Sequence, residues 1–354
     1  MALEDRGPAL RPRRNLGVDK PEWPTLGLIV LTYALWLGVT ALAGLTESVV
    51  LQIAAVVGIA LATAMHSSLS HEITHGHPLP SRAWSEALVF PALSLAIPYE
   101  RFRDTHLAHH RDERLTDPHE DPESNYLDPA VWAGLPRPVK WLMLFNNRLV
   151  GRMLIGPALG LVRFYADDLT AWRVPAVRRA WALHALGLIP VVGWLMLLGT
   201  PAWVVLVGSY AGLSLLRIRT FLEHRAHERA PGRSVIIEDR GPLAVLFLNN
   251  NLHALHHAQP RVAWYRLPAL YRVRREALLR DNGGYSYPSY WAVFAAHLWQ
   301  AKDPVPHPLM PTLMPAGSAR GPDAGHAGPV RRRSTQAPAP RQASVNAQAP
   351  AGEA

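Results

Sequence analysis

The chemistry of this sequence is concentrated in its histidines. There are 17, and more than half fall into four spaced clusters: His71-Glu72-Ile73-Thr74-His75, His106-Leu107-Ala108-His109-His110, His224-Arg225-Ala226-His227 and His253-Ala254-Leu255-His256-His257. On a helix, residues at i, i+3 and i+4 share a face. Each HxxHH box therefore presents three imidazoles to one side, and the HxxxH box presents two. Neutral imidazoles at that density are costly to bury without partners, and they repel one another once protonated. A bound metal answers both problems. Cysteine is absent, so the ligands must be His, Asp or Glu. Eight or nine imidazoles exceed what one ion coordinates, whereas two first-row ions share that number with room for oxygen. Imidazole suits iron, copper and zinc alike, so ligand type does not select the metal. The isolated residues His66, His77, His119, His184, His297, His307 and His326 read as packed or solvated side chains.

Such clusters need a scaffold, and the rest of the chain describes one. The 354 residues are 49% hydrophobic and 18% charged. A mean hydropathy of +0.01 averages long uncharged apolar runs with basic, His-rich connectors. Residues 25–44 carry no charge and are long enough to cross a bilayer core of about 30 Å. A second uncharged run, 48–65, follows after three residues, so the two form a helical hairpin. Runs 180–199 and 202–216, joined at Thr200-Pro201, form a second. Neither hairpin turn contains Lys or Arg. Basic residues crowd the N-terminus, the region of Arg173, Arg178 and Arg179, and the stretch Arg217, Arg219, Arg225. The positive-inside rule puts those segments in the cytoplasm, and with them both termini and every His cluster. The net charge of +9 then reads as a basic face against anionic membrane lipid. It does not read as a nucleic-acid surface, because Arg and Lys flank apolar runs instead of forming one patch with interleaved aromatics.

Two further apolar stretches, 83–98 and 141–164, are interrupted by Glu86 and by Arg148, Arg152 and Arg163. They read as helices lying in the interface, since Arg at mid-bilayer is too expensive for a fifth span. Residues 1–24 are polar and Arg-rich and lack the apolar core of a cleaved signal peptide, which predicts a cytosolic N-terminal segment. Residues 305–354 are Pro, Ala, Gly and Arg without periodicity, a composition that predicts a disordered tail. The expected architecture is an all-α integral membrane protein. It has two transmembrane helical hairpins (four spans), interfacial helices and a cytosolic His-rich cap, with the membrane domain at 25–304.

The order HExxH, HxxHH, a late His after the second hairpin and then HxxHH resembles the membrane fatty acid desaturase and hydroxylase superfamily over about residues 65–270. The resemblance implies an oxygen-activating di-iron centre, with two Fe2+ ions and dioxygen as co-substrate. Carried over residue by residue, it names His71 and His75, then His106, His109 and His110, then His253, His256 and His257 as ligands. The separate His best matches His224, within Phe221-Leu222-Glu223-His224, and His227 stays open as the alternative. Asp117-Pro118, Asp121-Pro122-Glu123-Ser124 and Asn249-Asn250-Asn251 also resemble the family. Their carboxylates and amides, and that of Asp104, are placed to orient imidazole N–H groups; turns and helix caps use the same residue types. The implied reaction removes hydrogen from an unactivated methylene of a lipid acyl chain, and no catalytic side chain beyond the ligands is implied. A second hydrogen loss gives an alkene, whereas oxygen rebound gives an alcohol. No fused electron-transfer module is legible, so a separate ferredoxin, cytochrome or rubredoxin-like donor is expected. The HExxH spacing, the FLEH segment and the NNNLHALHH run resemble bacterial acyl desaturases, which implies a bacterial inner membrane. Carotenoid ketolases and hydroxylases and alkane hydroxylases share the boxes.

Two rivals come from other classes. HExxH at a membrane span also fits an intramembrane zinc protease with Glu72 as general base, but a protease needs one more ligand and leaves both HxxHH boxes unexplained. A metal transporter would need ionisable residues along its spans, which hold almost none besides His184.

Overall fold

The computed structural model describes residues 18–310. From its N-terminal end, α1 (Trp23–Leu45) and α2 (Val49–Thr74) form a hairpin, followed by α3 (Arg82–Ala87) and α4 (Tyr99–His109). Short helices α5 (Pro129–Gly134), α6 (Arg137–Asn146), α7 (Leu149–Leu154) and α8 (Gly156–Thr170) lead to a second hairpin, α9 (Pro175–Leu197) and α10 (Ala202–Thr220). The chain closes with α11 (Pro242–Leu246), α12 (His253–Ala258), α13 (Leu267–Asp281) and α14 (Tyr290–His297). Ile236–Ile237 and Ser286–Tyr287 pair as short parallel strands.

Helices α1, α2, α9 and α10 are long and apolar enough to cross a membrane. Their outward faces carry Val30, Val50, Val57, Ile189, Met196 and Leu206 in exposed positions, an apolar belt that water would not tolerate and lipid does. Between them Trp36, Ala55, Ile59, Val191 and Val204 form a packed core. The turn of the second hairpin places Gly199 at φ +62, a conformation glycine adopts without a Cβ clash. Helix α10 crosses α2 at very close range. A Cβ on Gly208 would stand 2.7 Å from the Cβ of Ile59, and one on Gly212 would stand 2.6 Å from that of Thr63. Small residues four apart allow this approach, which is how apolar helices associate in lipid.

Helix α2 continues nine residues beyond the apolar run that ends at Met65. His66, Ser68 and Ser70 end the hydropathy signal without ending the helix, because the serine hydroxyls donate to the carbonyls of Ala64 (3.1 Å) and His66 (2.8 Å). With 26 residues the helix is roughly 39 Å long at 1.5 Å per residue, more than a bilayer core needs. Its last turns therefore stand clear of the apolar belt and are buried in the cap. A second core, including Leu149, Ile218, Leu222, Ile237, Phe247 and Val293, ties the end of α10 to α7, α11 and α14.

Several expectations need correction. Of residues 83–98 only α3 is helical, since Pro91 and Pro98 disfavour helix before them and Leu95 sits at φ +61. Residues 141–164 are not one interfacial helix but parts of α6, α7 and α8, broken at Asn147-Arg148 and Ile155, where Gly156-Pro157 restarts the helix. Arg152 points inward and is only 6% exposed. Residues 305–310 of the expected tail pair with the cap. Leu127 N–H donates to the Val305 carbonyl (2.9 Å) and His307 N–H to the Leu127 carbonyl (2.8 Å), while Val305 is buried. Residues 1–17 and 311–354, with the remaining expectations for the two ends, lie outside the described residues.

Candidate metal centre

Four pieces of chain converge at the end of the spans that carries the boxes. The last turn of α2 brings His71, and its C-cap is His75. Helix α4 brings His106 and His109, with His110 as its C-cap. The chain leaving α10 brings His224, and α12 brings His253, His256 and His257. Their ligand atoms form two groups, in each of which every atom lies within 4.8 Å of the others. One holds His71, His75, His106, His110 and His256, and the other holds His109, His224, His253 and His257. In the first group Nε2 of His106 lies 3.2 Å from that of His75 and 3.0 Å from that of His110. In the second, His224 Nε2 lies 2.9 Å from His109 Nε2 and 3.0 Å from His253 Nε2. The groups abut where the rings of His110 and His257 stack at 4.3 Å.

The outward nitrogens explain why these rings face inward. His106 Nδ1 donates to Glu123 (3.0 Å), His109 Nδ1 to Asp121 (2.8 Å) and His253 Nδ1 to the Asn250 amide oxygen (3.1 Å). His224 Nδ1 meets the Ser234 hydroxyl at 3.2 Å. A proton held on Nδ1 leaves the lone pair of a neutral ring on Nε2, pointed at the other rings. Burial, and then the neighbouring imidazoles, push His75, His110, His224, His253 and His256 well below the ordinary histidine range. Burial also acts on His109, but Glu123, Asp121 and Glu223 outweigh it and raise that ring to about 9. His71 Nε2 is buried without a hydrogen-bond partner. Converging lone pairs and an orphaned ring nitrogen are costly in a protein interior, and a cation in each group removes both costs. The donor set fits two metal ions.

The fatty acid desaturase family matches residues 46–289, more than half of the chain. The chain belongs to the fatty acid desaturase family. Comparison with the curated proteins finds no match. The desaturase family makes this membrane protein an oxidoreductase of the desaturase and hydroxylase type that acts on lipid chains.

All nine boxed histidines singled out in this family member are brought together, and His224 joins a group where His227 does not. His227 Nδ1 caps a turn with the Arg229 backbone at 3.1 Å. Asp104 also stays outside: it is exposed and pairs with its neighbour Arg103 at 2.8 Å, because it lies on the face of α4 opposite His106 and His109. Asn250 supports His253, and its amide nitrogen donates to Glu223 (3.4 Å), which Arg219 holds at 2.8 Å. Glu72, the glutamate of HExxH, faces away from both groups. Its carboxylate accepts from Trp264 N–H (2.9 Å) beside His77, and His77 in turn meets Glu22 at 2.8 Å. That removes it from the place a protease base would occupy. Ser234 and Lys302, whose ammonium donates to the carbonyl of His224, carried no motif and were not legible in the sequence.

A cavity of about 830 Å³ reaches this centre, with His106, His109 and His224 in its wall. Apolar residues of α8 and α10, among them Leu159, Val162, Leu213 and Leu216, line much of the rest, while α2 contributes the polar His66, Ser67 and Ser70. Its size is that of a site for a small molecule or a folded chain.

Proposed function

We propose that this chain is an oxygen-dependent acyl-chain desaturase, with one iron ion held by each histidine group. The observation that carries the reading is the largely apolar cavity whose wall includes His106, His109 and His224, in a member of the desaturase family. Iron bound at the two groups supplies the power to break an unactivated C–H bond with dioxygen as oxidant. The protein's own part is positional. Asp121, Glu123, Asn250 and Ser234 hold the rings, while α8 and α10 wrap the chain and exclude water from the methylene next to the rings. Forming one alkene consumes one dioxygen, two electrons and two protons besides the two substrate hydrogens, and yields two waters. The electrons come from a separate ferredoxin, cytochrome or rubredoxin-like donor. The histidine groups and both termini face the cytoplasm of a bacterial cell, in keeping with the placement of Arg and Lys.

The test is expression with a compatible reductase in a host lacking desaturases, followed by mass spectrometry of its fatty acids. New monoenes or dienes that vanish in His106→Ala and His256→Ala are the expected result. Hydroxylated acyl chains, or oxidised carotenoids with unchanged fatty acids, would refute desaturation and favour the hydroxylase or ketolase reaction of the same centre.

A further inference from the structure

Five guanidinium groups line the cavity, and their partners divide them. Arg101 is held by Asp168 through two nitrogens, at 2.9 and 2.7 Å. Arg219 meets Glu223 at 2.8 Å, and Arg163 stands 3.8 Å from Asp167. Arg152 and Arg217 have no carboxylate in ion-pair contact among the described residues. Arg152 donates only to neutral acceptors, the Asn125 side chain and the Asn146 carbonyl (3.0 Å), although it is almost fully buried. The guanidinium of Arg217, near the end of α10, makes no hydrogen bond to a described residue. Burial, and then the charge of Arg217, push Arg152 down to about 9, so the two cations sense one another.

The surroundings are shaped to this pair. Helix α8 faces it with Gly156 and Gly160. A Cβ on Gly156 would stand 3.0 Å from Cδ of Arg152, and one on Gly160 would collide with the Arg217 guanidinium. Thr220, on the same face of α10 one turn beyond Arg217, adds a buried hydroxyl without a hydrogen-bond partner. Burying the Arg152 charge without a counter-ion is destabilising, and an arginine in a membrane helix, as Arg217 is, ordinarily marks a bound partner. Guanidinium forks match the geometry of carboxylate and phosphate oxygens.

We propose that Arg152 and Arg217 bind an oxyanion carried by the substrate, a carboxylate or a phosphate group, and so fix one end of the molecule inside the cavity. The apolar remainder of that molecule rests on the acyl-oxidation reading above; the anion does not. With one end fixed, the distance from the anion to the rings determines which methylene is presented for oxidation.

Full-length metal-loaded protein, purified in a nonionic detergent, tests this by titration calorimetry with palmitate, hexadecyl phosphate and hexadecanol. At least one anion is expected to bind about tenfold or more tightly than the alcohol, the range of a charge-assisted hydrogen-bonded pair. Which anion wins separates carboxylate from phosphate. In Arg217→Gln the preference should fall to within about twofold while hexadecanol binding is kept, as expected when one charge-assisted contact is removed. Gly160→Ala, which displaces the guanidinium without removing it, should weaken anion binding only, and it carries the test if Arg217→Gln fails to fold. Equal binding of all three ligands, or an anion preference that survives in the folded variants, would overturn the proposal. Anion preference without any oxidised acyl product would leave this site standing while the desaturase reading fell.

Discussion

The five-ring group around His106 and the four-ring group around His224 draw on the same boxes yet are held differently. In the four-ring group, His109, His224 and His253 each have an outer side chain on Nδ1, from Asp121, Ser234 and Asn250. In the five-ring group only His106 has one among the described residues, from Glu123. The five rings come from the ends of α2, α4 and α12, so packed helices fix their directions. The four include His224, which leaves α10 on irregular chain and depends on Ser234 and on the Lys302 contact to its carbonyl. Ring number and outer hydrogen bonds thus substitute for one another. The group with more rings on rigid ends needs less help.

Removing a ring should expose this difference most strongly. His224→Ala leaves three rings in its group and should lose that group's metal. Activity should then fall by more than about a hundredfold, beyond the effect of an outer partner. His71→Ala leaves four rings in the other group and should retain more metal. Metal content by plasma mass spectrometry, measured with product yield, checks both, and equal losses would break the comparison. A weaker effect of the same sign is expected one layer out. Asp121→Ala should make the four-ring group yield its metal to a chelator at roughly 10- to 100-fold lower chelator concentration. Glu123→Gln should do less, and the reverse order would contradict the asymmetry.

Two further changes sharpen it from outside the groups. Gly212→Leu overpacks the crossing of α2 and α10 and should cost about 1–3 kcal/mol, read as a lower thermal midpoint. Because α2 carries His71 and α10 leads to His224, both groups should lose metal together, and loss from one alone would show that the crossing does not position both. The smallest effects belong to His227→Ala and Asp104→Ala. Each should change stability by less than about 0.5 kcal/mol and leave metal content unaltered.

Box spacing made eight of the rings legible in the sequence and left the ninth between His224 and His227, and the apolar runs located the four long helices to within a few residues at most ends. The division of each HxxHH box between two groups was hidden. His106 and His110 go one way and His109 the other, because the partners of each ring come from distant elements that local helical spacing does not describe. The length of α2 was hidden for a local reason, serine hydroxyls satisfied by the helix's own carbonyls. The inward turn of Arg152 was misread because hydropathy counts a charge without showing what faces it. Ser234 and Lys302 reach His224 only through the fold.

The central claim, two metal ions in two histidine groups, is tested most directly by metal analysis of the full chain purified from iron-replete cells, beside His224→Ala prepared in parallel. About two iron ions per chain are expected in the unaltered protein and about one in the variant, as the division of nine imidazoles into five and four requires. A single tightly held zinc ion without iron, or a variant that keeps both ions, would contradict it.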